Sequence, residues 1–352
     1  MPKRKRERPL SQLPVPEVLL AKVRSPLVVV LGSPAEVVNL LSALPGIDAT
    51  CYQMDVFQAE RLRAELGARG LAASVATAGD LWDLPGGYAS AVYLPARGER
   101  ALKIDMVEQS WYVLRDKGLF FVWSPYSTDA FFLPQLKKVF GKGHAPPLDK
   151  NGEPQRVLWC VREGERPRRR HEVTFQVKIG DGPSCRFTSR PGTFSYGRFD
   201  DGARALCEVM QVEPGDRVVD IGCGVGTNGV FASQMAGENG YIAFVDSNPR
   251  AVALAELNAR ANGVPKFDTF ASSSVEGPPE DSFDVAIANP PYFSNSSIAH
   301  LFIRRAKKLL TPQGRFFIVT KQPEELAPVI TEAFGEEEVQ AVVNRSYTVL
   351  MA

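Results

Sequence analysis

The segment FDVAIANPPYF, residues 283–293, starts as an apolar strand and ends on an asparagine, two prolines and two aromatic rings. The Asn289 side chain and the carbonyl of Pro290 could accept hydrogen bonds from one NH2 group, while Tyr292 could stack on a flat heterocycle. Proline suits such a corner because it fixes the backbone direction and keeps its carbonyl available. Two fixed acceptors would aim the nitrogen lone pair at a reaction partner. We therefore predict Asn289, Pro290 and Tyr292 as catalytic residues.

A second chemical feature is the glycine-rich turn that follows the apolar run DRVVDIGCG, residues 216–224. Gly222, Gly224 and Gly226 leave room for a ligand to approach backbone amides and a helix N-terminus. Asp246 lies 20 residues beyond the last glycine, at the end of the next predicted strand. Its carboxylate suits the hydroxyl groups of a ribose. A dinucleotide-binding turn would favour glycine or alanine where this chain has Thr227.

The elements that must position these residues occur twice along the chain. Strand-like segments of the first half match segments of the second half at offsets of 190 to 196 residues, with small insertions. The matching pairs are 26–33 with 216–224, 88–98 with 283–293, and 114–124 with 309–320. Strands that alternate with helical segments favour parallel sheets covered by helices on both faces. We predict an α/β protein made of two tandem Rossmann-like domains, produced by duplication.

The two predicted copies differ at the ends of their strands, where such folds bind ligands. The first copy lacks the glycine-rich turn, and Leu94-Pro95-Ala96 stands where the second copy has Asn289-Pro290-Pro291. We predict that the N-terminal copy is degenerate and catalytically inert.

The predicted domains are a basic flexible tail over 1–20, the degenerate domain over 21–165 and the catalytic domain over 166–352. The catalytic domain begins with a β-hairpin in 171–189, around Gly180-Asp181-Gly182. Basic residues cluster at Lys3 to Arg8 and at Arg166 to Arg170. Each cluster could contact a phosphate backbone, or could be a solvated tail or linker.

Composition restricts the class of protein. The net charge of +1 gives no overall attraction to nucleic acid. The five cysteines lack paired metal spacing, so we expect reduced thiols and no metal site. No apolar run reaches the length of about 18 residues that a membrane helix needs, and the N-terminus lacks a secretory signal pattern. We expect a cytoplasmic protein without membrane contact.

These features together resemble a known family. The glycine-rich turn is similar to that of S-adenosylmethionine-dependent methyltransferases. The overall layout resembles the ribosomal RNA guanine-N2 methyltransferases, the family of small-subunit methyltransferase C and large-subunit methyltransferase G. The resemblance rests on PGTFSYGRFDDGARAL at 191–206, on the Asn-Pro-Pro-aromatic corner and on the degenerate first copy. It implies a class I methyltransferase fold in which a set of residues binds the methyl donor: Asp220, Gly222, Gly224, Gly226, Asp246, Phe194 and Asp200.

The resemblance also implies an enzyme that methylates the N2 amino group of guanine in ribosomal RNA. Its partner would be ribosomal RNA or a ribosomal subunit, and we expect a monomer. Tyr292 is more typical of adenine-N6 and glutamine-N5 enzymes, so adenine-N6 methylation of RNA or DNA stays open. A non-catalytic ribosome-assembly factor that binds RNA is a further alternative. Ser272 and Ser273 stand where many methyltransferases place an acidic residue against the adenine of the donor, and we include them among the donor-binding residues.

Overall fold

Apolar runs of four to six residues form the central strands of this protein, because both faces of each sheet are covered. Successive residues of β1 (Leu27–Val30) and β9 (Arg217–Ile221) point alternately into apolar clusters on opposite sides of their sheets. A strand buried on both faces reads as a continuous apolar run. The structure is a computed structural model that describes residues 8–96, 98–126, 129–148, 152, 155–291, 296–335 and 339–352.

The chain divides into two compact units, residues 1–171 and 172–352. In the described part of the first unit, the strand order is β3-β2-β1-β4-β5-β6, with only β6 antiparallel to its neighbour. Its other strands are β2 (Ala49–Gln53), β3 (Ser74–Thr77), β4 (Tyr88–Tyr93), β5 (Leu114–Trp123) and β6 (Val157–Val161). Its helices are α1 (Glu17–Lys22), α2 (Pro34–Ser42), α3 (Val56–Ala68), α4 (Arg100–Val113) and α5 (Phe132–Phe140).

In the described part of the second unit, the main sheet has the order β11-β10-β9-β12-β13-β15-β14, and the hairpin β7-β8 precedes it. The remaining strands are β7 (Val173–Val177), β8 (Cys185–Ser189), β10 (Tyr241–Asp246), β11 (Phe267–Ala271), β12 (Phe283–Ala288), β13 (Leu310–Thr320), β14 (Gln340–Asn344) and β15 (Tyr347–Met351). The helices are α6 (Asp201–Val209), α7 (Thr227–Ala236), α8 (Pro249–Ala261), α9 (Ser297–Leu309) and α10 (Pro323–Phe334).

The prediction of two tandem α/β units is confirmed. In both main sheets the strand order reverses beside the first strand, between β1 and β4 and between β9 and β12. Strand order reversal creates a crevice at the carboxyl ends of the strands, where ligands bind in open α/β folds. The predicted hairpin over 171–189 forms as the antiparallel pair β7-β8. The second sheet ends in the antiparallel strands β15 and β14.

The prediction of a flexible tail over 1–20 is wrong from Leu10 onward. Leu10 and Leu19 are fully buried in the apolar cluster that covers one face of the first sheet. Asn39 of α2 donates hydrogen bonds to the carbonyls of Leu10 and Leu13, which hold this segment in place. The basic residues Lys3 to Arg6 lie outside the described residues.

The second unit begins at residue 172 rather than at 166, because the basic cluster packs on the first unit. Arg166 donates to the carbonyl of Val139 and lies 3.6 Å from a carboxylate oxygen of Glu108. The guanidinium of Arg168 lies over the rings of Trp82 and Tyr112. Half of the predicted arginine cluster therefore has a structural task in the first unit.

Candidate functional site

The glycine-rich turn connects β9 to α7 and brings backbone amides to the crevice. Gly222, Gly224 and Gly226 have φ angles of +70°, +55° and +83°, a region that side chains other than glycine rarely adopt. A Cβ atom on Gly226 would also lie 3.1 Å from the Cα of Ala255 in α8. Gly226 is at the N-cap position of α7 and provides no side-chain cap. The Gly229 amide is held by Asp220, and the cleft reaches Thr227 and Asn228, the first two residues of the helix, where a polar or anionic group of a ligand could bind.

Asp246 ends β10, the neighbour of β9, and shapes this turn. One carboxylate oxygen accepts a hydrogen bond of 2.9 Å from the amide of Gly224, and the other accepts one of 2.8 Å from the amide of Asn248. Each carboxylate oxygen has two lone pairs and can accept more than one hydrogen bond. The structure thus places Asp246 directly beside the glycine-rich turn, as a ribose-binding residue requires.

Asp220 lies beneath the turn. Its side chain is 1% exposed and accepts a hydrogen bond of 2.9 Å from the amide of Gly229 in α7. Burial raises its pKa to about 7, and the nearby charge of Asp246 acts in the same direction, while the bond from Gly229 opposes both. Asp220 therefore supports the turn from below and does not line the cleft above it.

An open cleft of about 380 Å³ lies at the reversal point of the second sheet. Its lining combines the glycine-rich turn, the start of α7, the segment before α6 and the residue that follows β12. The described lining residues are Phe194, Ser195, Arg198, Phe199, Asp200, Ala203, Gly222, Cys223, Gly224, Val225, Thr227, Asn228 and Asn289. The cleft therefore brings Asn289 together with four other predicted site residues, Phe194, Asp200, Gly222 and Gly224.

Asn289 enters the cleft because β12 pairs in parallel with β9. Ala288 and Ile221 are partners in this pairing, so Asn289 follows beside Gly222. The Asn289 amide nitrogen donates a hydrogen bond of 3.1 Å to a carboxylate oxygen of Asp200. Pro290 is buried at the end of the strand. Tyr292, the third predicted catalytic residue, lies outside the described residues.

The segment that carries Phe194 forms another wall of the cleft. The Phe194 ring is 44% exposed, which leaves its surface accessible to a ligand. Asn248 donates a hydrogen bond of 2.8 Å to the carbonyl of Gly192, and the buried Arg250 donates to the carbonyl of Pro191. The N-terminus of α8 thereby holds this wall in place.

Ser272 and Ser273 follow β11 and are not among the described residues that line the cleft. The Ser272 amide donates to the carbonyl of Asp246, and its hydroxyl oxygen accepts a hydrogen bond from the amide of Glu276. These serines follow the carboxyl end of β11, next to Asp246 at the carboxyl end of β10.

Two residues that sequence reasoning missed contribute to the site. Arg198 is exposed and lines the cleft, where it is the one cationic side chain among the described lining residues. Asn258 of α8 is fully buried and donates hydrogen bonds to the carbonyls of Thr188 and Val225, so it ties the hairpin to the glycine-rich turn. The sequence gives no spacing signal for either residue. The partners of Asn258, for example, are 70 and 33 residues away in the sequence.

Two further observations concern the described residues, one on membrane-spanning helices and one on metal-binding clusters. Within those ranges no helix is both long and apolar enough to cross a bilayer. The same part of the chain contains no cluster of three or more histidine, cysteine, aspartate or glutamate side chains arranged for a metal ion.

The strand order, the glycine-rich turn, the aspartate after the second strand and the asparagine corner define the fold of a class I methyltransferase. Residues 184–351 match the family model described as the methyltransferase small domain. The predicted resemblance to small-subunit methyltransferase C and large-subunit methyltransferase G is confirmed by the relatives that the chain matches.

Among curated relatives, the ribosomal RNA small subunit methyltransferase C of Chromohalobacter salexigens is 34% identical over 161 residues, which cover 44% of this chain and 47% of that protein. The ribosomal RNA large subunit methyltransferase G of Streptomyces avermitilis is 27% identical over 195 residues, covering 53% of this chain and 51% of that protein. The chain thus spans about half the length of these relatives.

A solved 16S rRNA N2 methyltransferase of T. thermophilus, in complex with AdoMet and guanosine, matches with a TM-score of 0.72 and 22% identity. The match covers 97% of this chain and 92% of that protein. At this identity the likeness establishes the fold, and it extends over both units.

Proposed function

We propose that this protein is an enzyme that transfers the methyl group of S-adenosylmethionine to the N2 amino group of guanine in ribosomal RNA. The observation that carries the proposal is the placement of Asn289 beside Gly222, within one cleft that also contains the glycine-rich turn. An amino-group ligand and a methyl donor could therefore meet at one point of the molecule.

The residues of the turn fit the donor. Nothing lies within 4 Å of a Cβ atom built on Gly224, so a ligand has space against the backbone there. The start of α7, where Thr227 and Asn228 line the cleft, would bind the carboxylate of the donor, and Arg198 adds a positive charge at the same cleft. Asp246 would accept hydrogen bonds from the ribose while it continues to hold the Gly224 amide.

Asn289 and Pro290 would prepare the acceptor nitrogen. The lone pair of a guanine amino group is delocalised into the ring, which makes the nitrogen a weak nucleophile. Hydrogen bonds from its two N–H groups to the Asn289 amide oxygen and the Pro290 carbonyl would favour a pyramidal nitrogen and aim its lone pair at the methyl carbon. Tyr292 would stack on the base, which contributes about 1 to 3 kcal/mol.

The transfer is balanced without a further reagent. The nitrogen lone pair forms the new N–C bond, the S–C bond breaks, and its electron pair stays on sulfur as a neutral thioether. The amino group then loses one proton to water in the open cleft. The chain then contributes orientation rather than a covalent intermediate.

The first unit is proposed to hold RNA and to bind no donor. Ser33 and Glu36 form a reciprocal capping box at the start of α2, so the helix N-terminus is occupied by its own carboxylate. The fully buried Leu94 stands where the second unit has Asn289. In this role we expect a monomer that acts on ribosomal RNA or a ribosomal subunit in the cytoplasm.

Adenine-N6 methylation is the second candidate, because the tyrosine at position 292 is typical of enzymes with that acceptor. The same corner could hold the amino group of adenine, which also carries two hydrogens on an exocyclic nitrogen.

Mass mapping of ribosomal RNA nucleosides separates these candidates. We expect the purified protein to produce N2-methylguanosine in ribosomal RNA when S-adenosylmethionine is supplied. We expect Asn289→Ala to lower kcat by about 100-fold to 1,000-fold. Asn239→Ala, an exposed asparagine of the same unit, is the matched control. Production of N6-methyladenosine would favour the second candidate. Donor binding without any transfer to RNA would indicate a non-catalytic assembly factor.

A further inference from the structure

We propose that Asp200 is a positioning residue that fixes the orientation of the Asn289 amide for methyl transfer. This inference rests on the proposed function, and it deepens that function by assigning Asp200 to the acceptor side of the cleft. The sequence resemblance instead implies that Asp200 belongs to the donor site.

The key contact is a single carboxylate oxygen shared by two partners. Asp200 occupies the N-cap position of α6, and its Oδ2 accepts a hydrogen bond of 2.9 Å from the amide of Ala203. The same Oδ2 accepts the hydrogen bond of 3.1 Å from Nδ2 of Asn289, which is 89 residues away in the sequence. One atom therefore connects the start of a helix to the predicted catalytic corner.

The helix holds this oxygen in place. Ala203, Ala205 and Leu206 of α6 are buried in the apolar core, so the helix cannot shift without loss of packing. The capping bond to Ala203 restricts the side-chain rotamer of Asp200. The carboxylate is consequently a rigid partner for Asn289 rather than a mobile surface group.

An asparagine amide can be turned by 180° so that its oxygen and nitrogen exchange places. The Asp200 carboxylate accepts hydrogen bonds but donates none, so it attracts the NH2 end of the amide and repels the oxygen end. Asn289 Oδ1 is thereby set on the side of the amide away from this carboxylate. A reversed amide would present N–H donors to the N–H groups of the acceptor base, and no hydrogen bond could form between them.

The negative charge of Asp200 also acts on the strength of the amide oxygen as an acceptor. A hydrogen bond to an ionised group polarises the donor, and the polarisation extends along a chain of hydrogen bonds. Electron density on Oδ1 of Asn289 rises when Nδ2 donates to a carboxylate. Both effects, orientation and polarisation, serve the acceptor amino group and not the methyl donor.

Asp200→Ser separates the helix-capping task from the contact to Asn289. Serine is as good an N-cap as aspartate, but its side chain is one heavy-atom bond shorter and carries no carboxylate for Asn289. We expect kcat to fall by about 100-fold, because misplacement of a reacting group costs this much, while the KM and Kd for S-adenosylmethionine stay within about twofold. Thermal unfolding should be unchanged, and Asp200→Asn, which retains an acceptor oxygen of the right length, should recover part of the lost kcat.

Asp201→Ser is the control for charge. Asp201 is the exposed neighbour in the first turn of α6, and its substitution removes one negative charge from the same helix end. We expect the Asp201→Ser protein to keep the wild-type kcat. Equal losses in the Asp200→Ser and Asp201→Ser proteins would show a general electrostatic effect and overturn the assignment.

A double-substitution cycle tests whether Asp200 acts through Asn289. If it does, the Asp200→Ser/Asn289→Ala protein should have the same kcat as Asn289→Ala alone, because the second change removes a contact that is already lost. Multiplicative losses would overturn the inference, and so would a tenfold rise in the Kd for the donor with kcat unchanged, since that result places Asp200 at the donor. A wild-type protein that transfers no methyl group would contradict the proposed function itself, whereas an Asp200→Ser protein with full activity would contradict this inference alone.

Discussion

At the scale of single residues, the site depends on carboxylates that have different surroundings. Asp246 lies at the carboxyl end of β10 and accepts hydrogen bonds from the amides of Gly224 and Asn248. Asp220 is buried beneath the turn and accepts a hydrogen bond from the amide of Gly229. Burial disfavours the charged form of Asp220. Asp246 is thus suited to bind a ligand, and Asp220 is suited to support the turn.

The buried Asp220 makes the stability of the second unit depend on pH. Its pKa of about 7 in the folded protein exceeds the ordinary value of 3.8, so the folded state holds this proton more tightly than the unfolded state does. The stability from this group is fully present below pH 3.8 and is lost as the pH rises through about 7.

We therefore expect the free energy of unfolding of the wild-type protein to fall, relative to Asp220→Asn, between about pH 4 and pH 7. Asparagine does not titrate in this range, and its side-chain oxygen can still accept the hydrogen bond from Gly229. Denaturant unfolding of both proteins at a series of pH values measures the difference. A constant difference over this range would show that Asp220 does not hold a raised pKa.

At the scale of elements, the packing of α7 on β10 sets the distance between the glycine-rich turn and Asp246. A Cβ atom on Gly229 would lie 2.3 Å from a ring carbon of Phe244, and Phe244 is fully buried. The helix can approach the strand this closely only because position 229 has no side chain.

Gly229→Ala should lower the free energy of unfolding by about 1 to 3 kcal/mol, because the added methyl group overpacks the core. Gly67→Ala is the matched control, since Gly67 is a helical glycine with no atom within 4 Å of the added Cβ. The control should raise stability by about 0.5 to 1 kcal/mol. Chemical denaturation measures both, and equal effects of the two changes would contradict the close packing of α7.

The elements that the sequence predicted well are those with a local signal. The apolar runs of β9 and β12, the three glycines and the aspartate at the end of β10 could each be identified within short windows, and their strand ends meet because parallel strands share one edge. The order of the strands then brings the glycine-rich turn and Asn289 together.

The elements that sequence reasoning missed depend on contacts between distant residues. The burial of Leu10 comes from packing on α2 of the first unit, and a basic, proline-containing segment gives no local sign of it. The polar face of α8 is similar, because Asn258 and Arg250 look like surface residues until their buried partners are known. The contact between Asp200 and Asn289 also has no signal in the spacing of the sequence.

At the scale of the whole molecule, the two units have the same order of their parallel strands but different strand ends. The N-cap residue of α2 is Ser33, which forms a capping box with Glu36, whereas the N-cap residue of α7 is Gly226, which has no side chain. The Gly229 amide of α7 is held by Asp220 from the preceding strand. The same sheet topology is therefore followed by different side chains at the turn that the proposed donor would contact.

This difference predicts that the chain binds one donor molecule. Titration calorimetry with S-adenosylmethionine should give a stoichiometry of one. The Asp246→Ala protein should bind the donor more weakly and should show no second donor site. In the first unit, Asp55 follows β2 and corresponds to Asp246 of the second unit. Its carboxylate instead caps α3 by accepting a hydrogen bond from the amide of Gln58. A stoichiometry of two would show that the first unit also binds the donor.

The most direct test of the central claim is the distance between Asn289 and the acceptor nitrogen. A crystal structure of the protein with S-adenosylhomocysteine and guanosine should place guanine N2 at a hydrogen-bond distance of about 3 Å from Asn289 Oδ1. The Pro290 carbonyl should accept from the same nitrogen, with Asn289 Nδ2 still bound to Asp200. Guanosine bound with N2 far from Asn289, or S-adenosylhomocysteine bound away from the glycine-rich turn, would contradict the account.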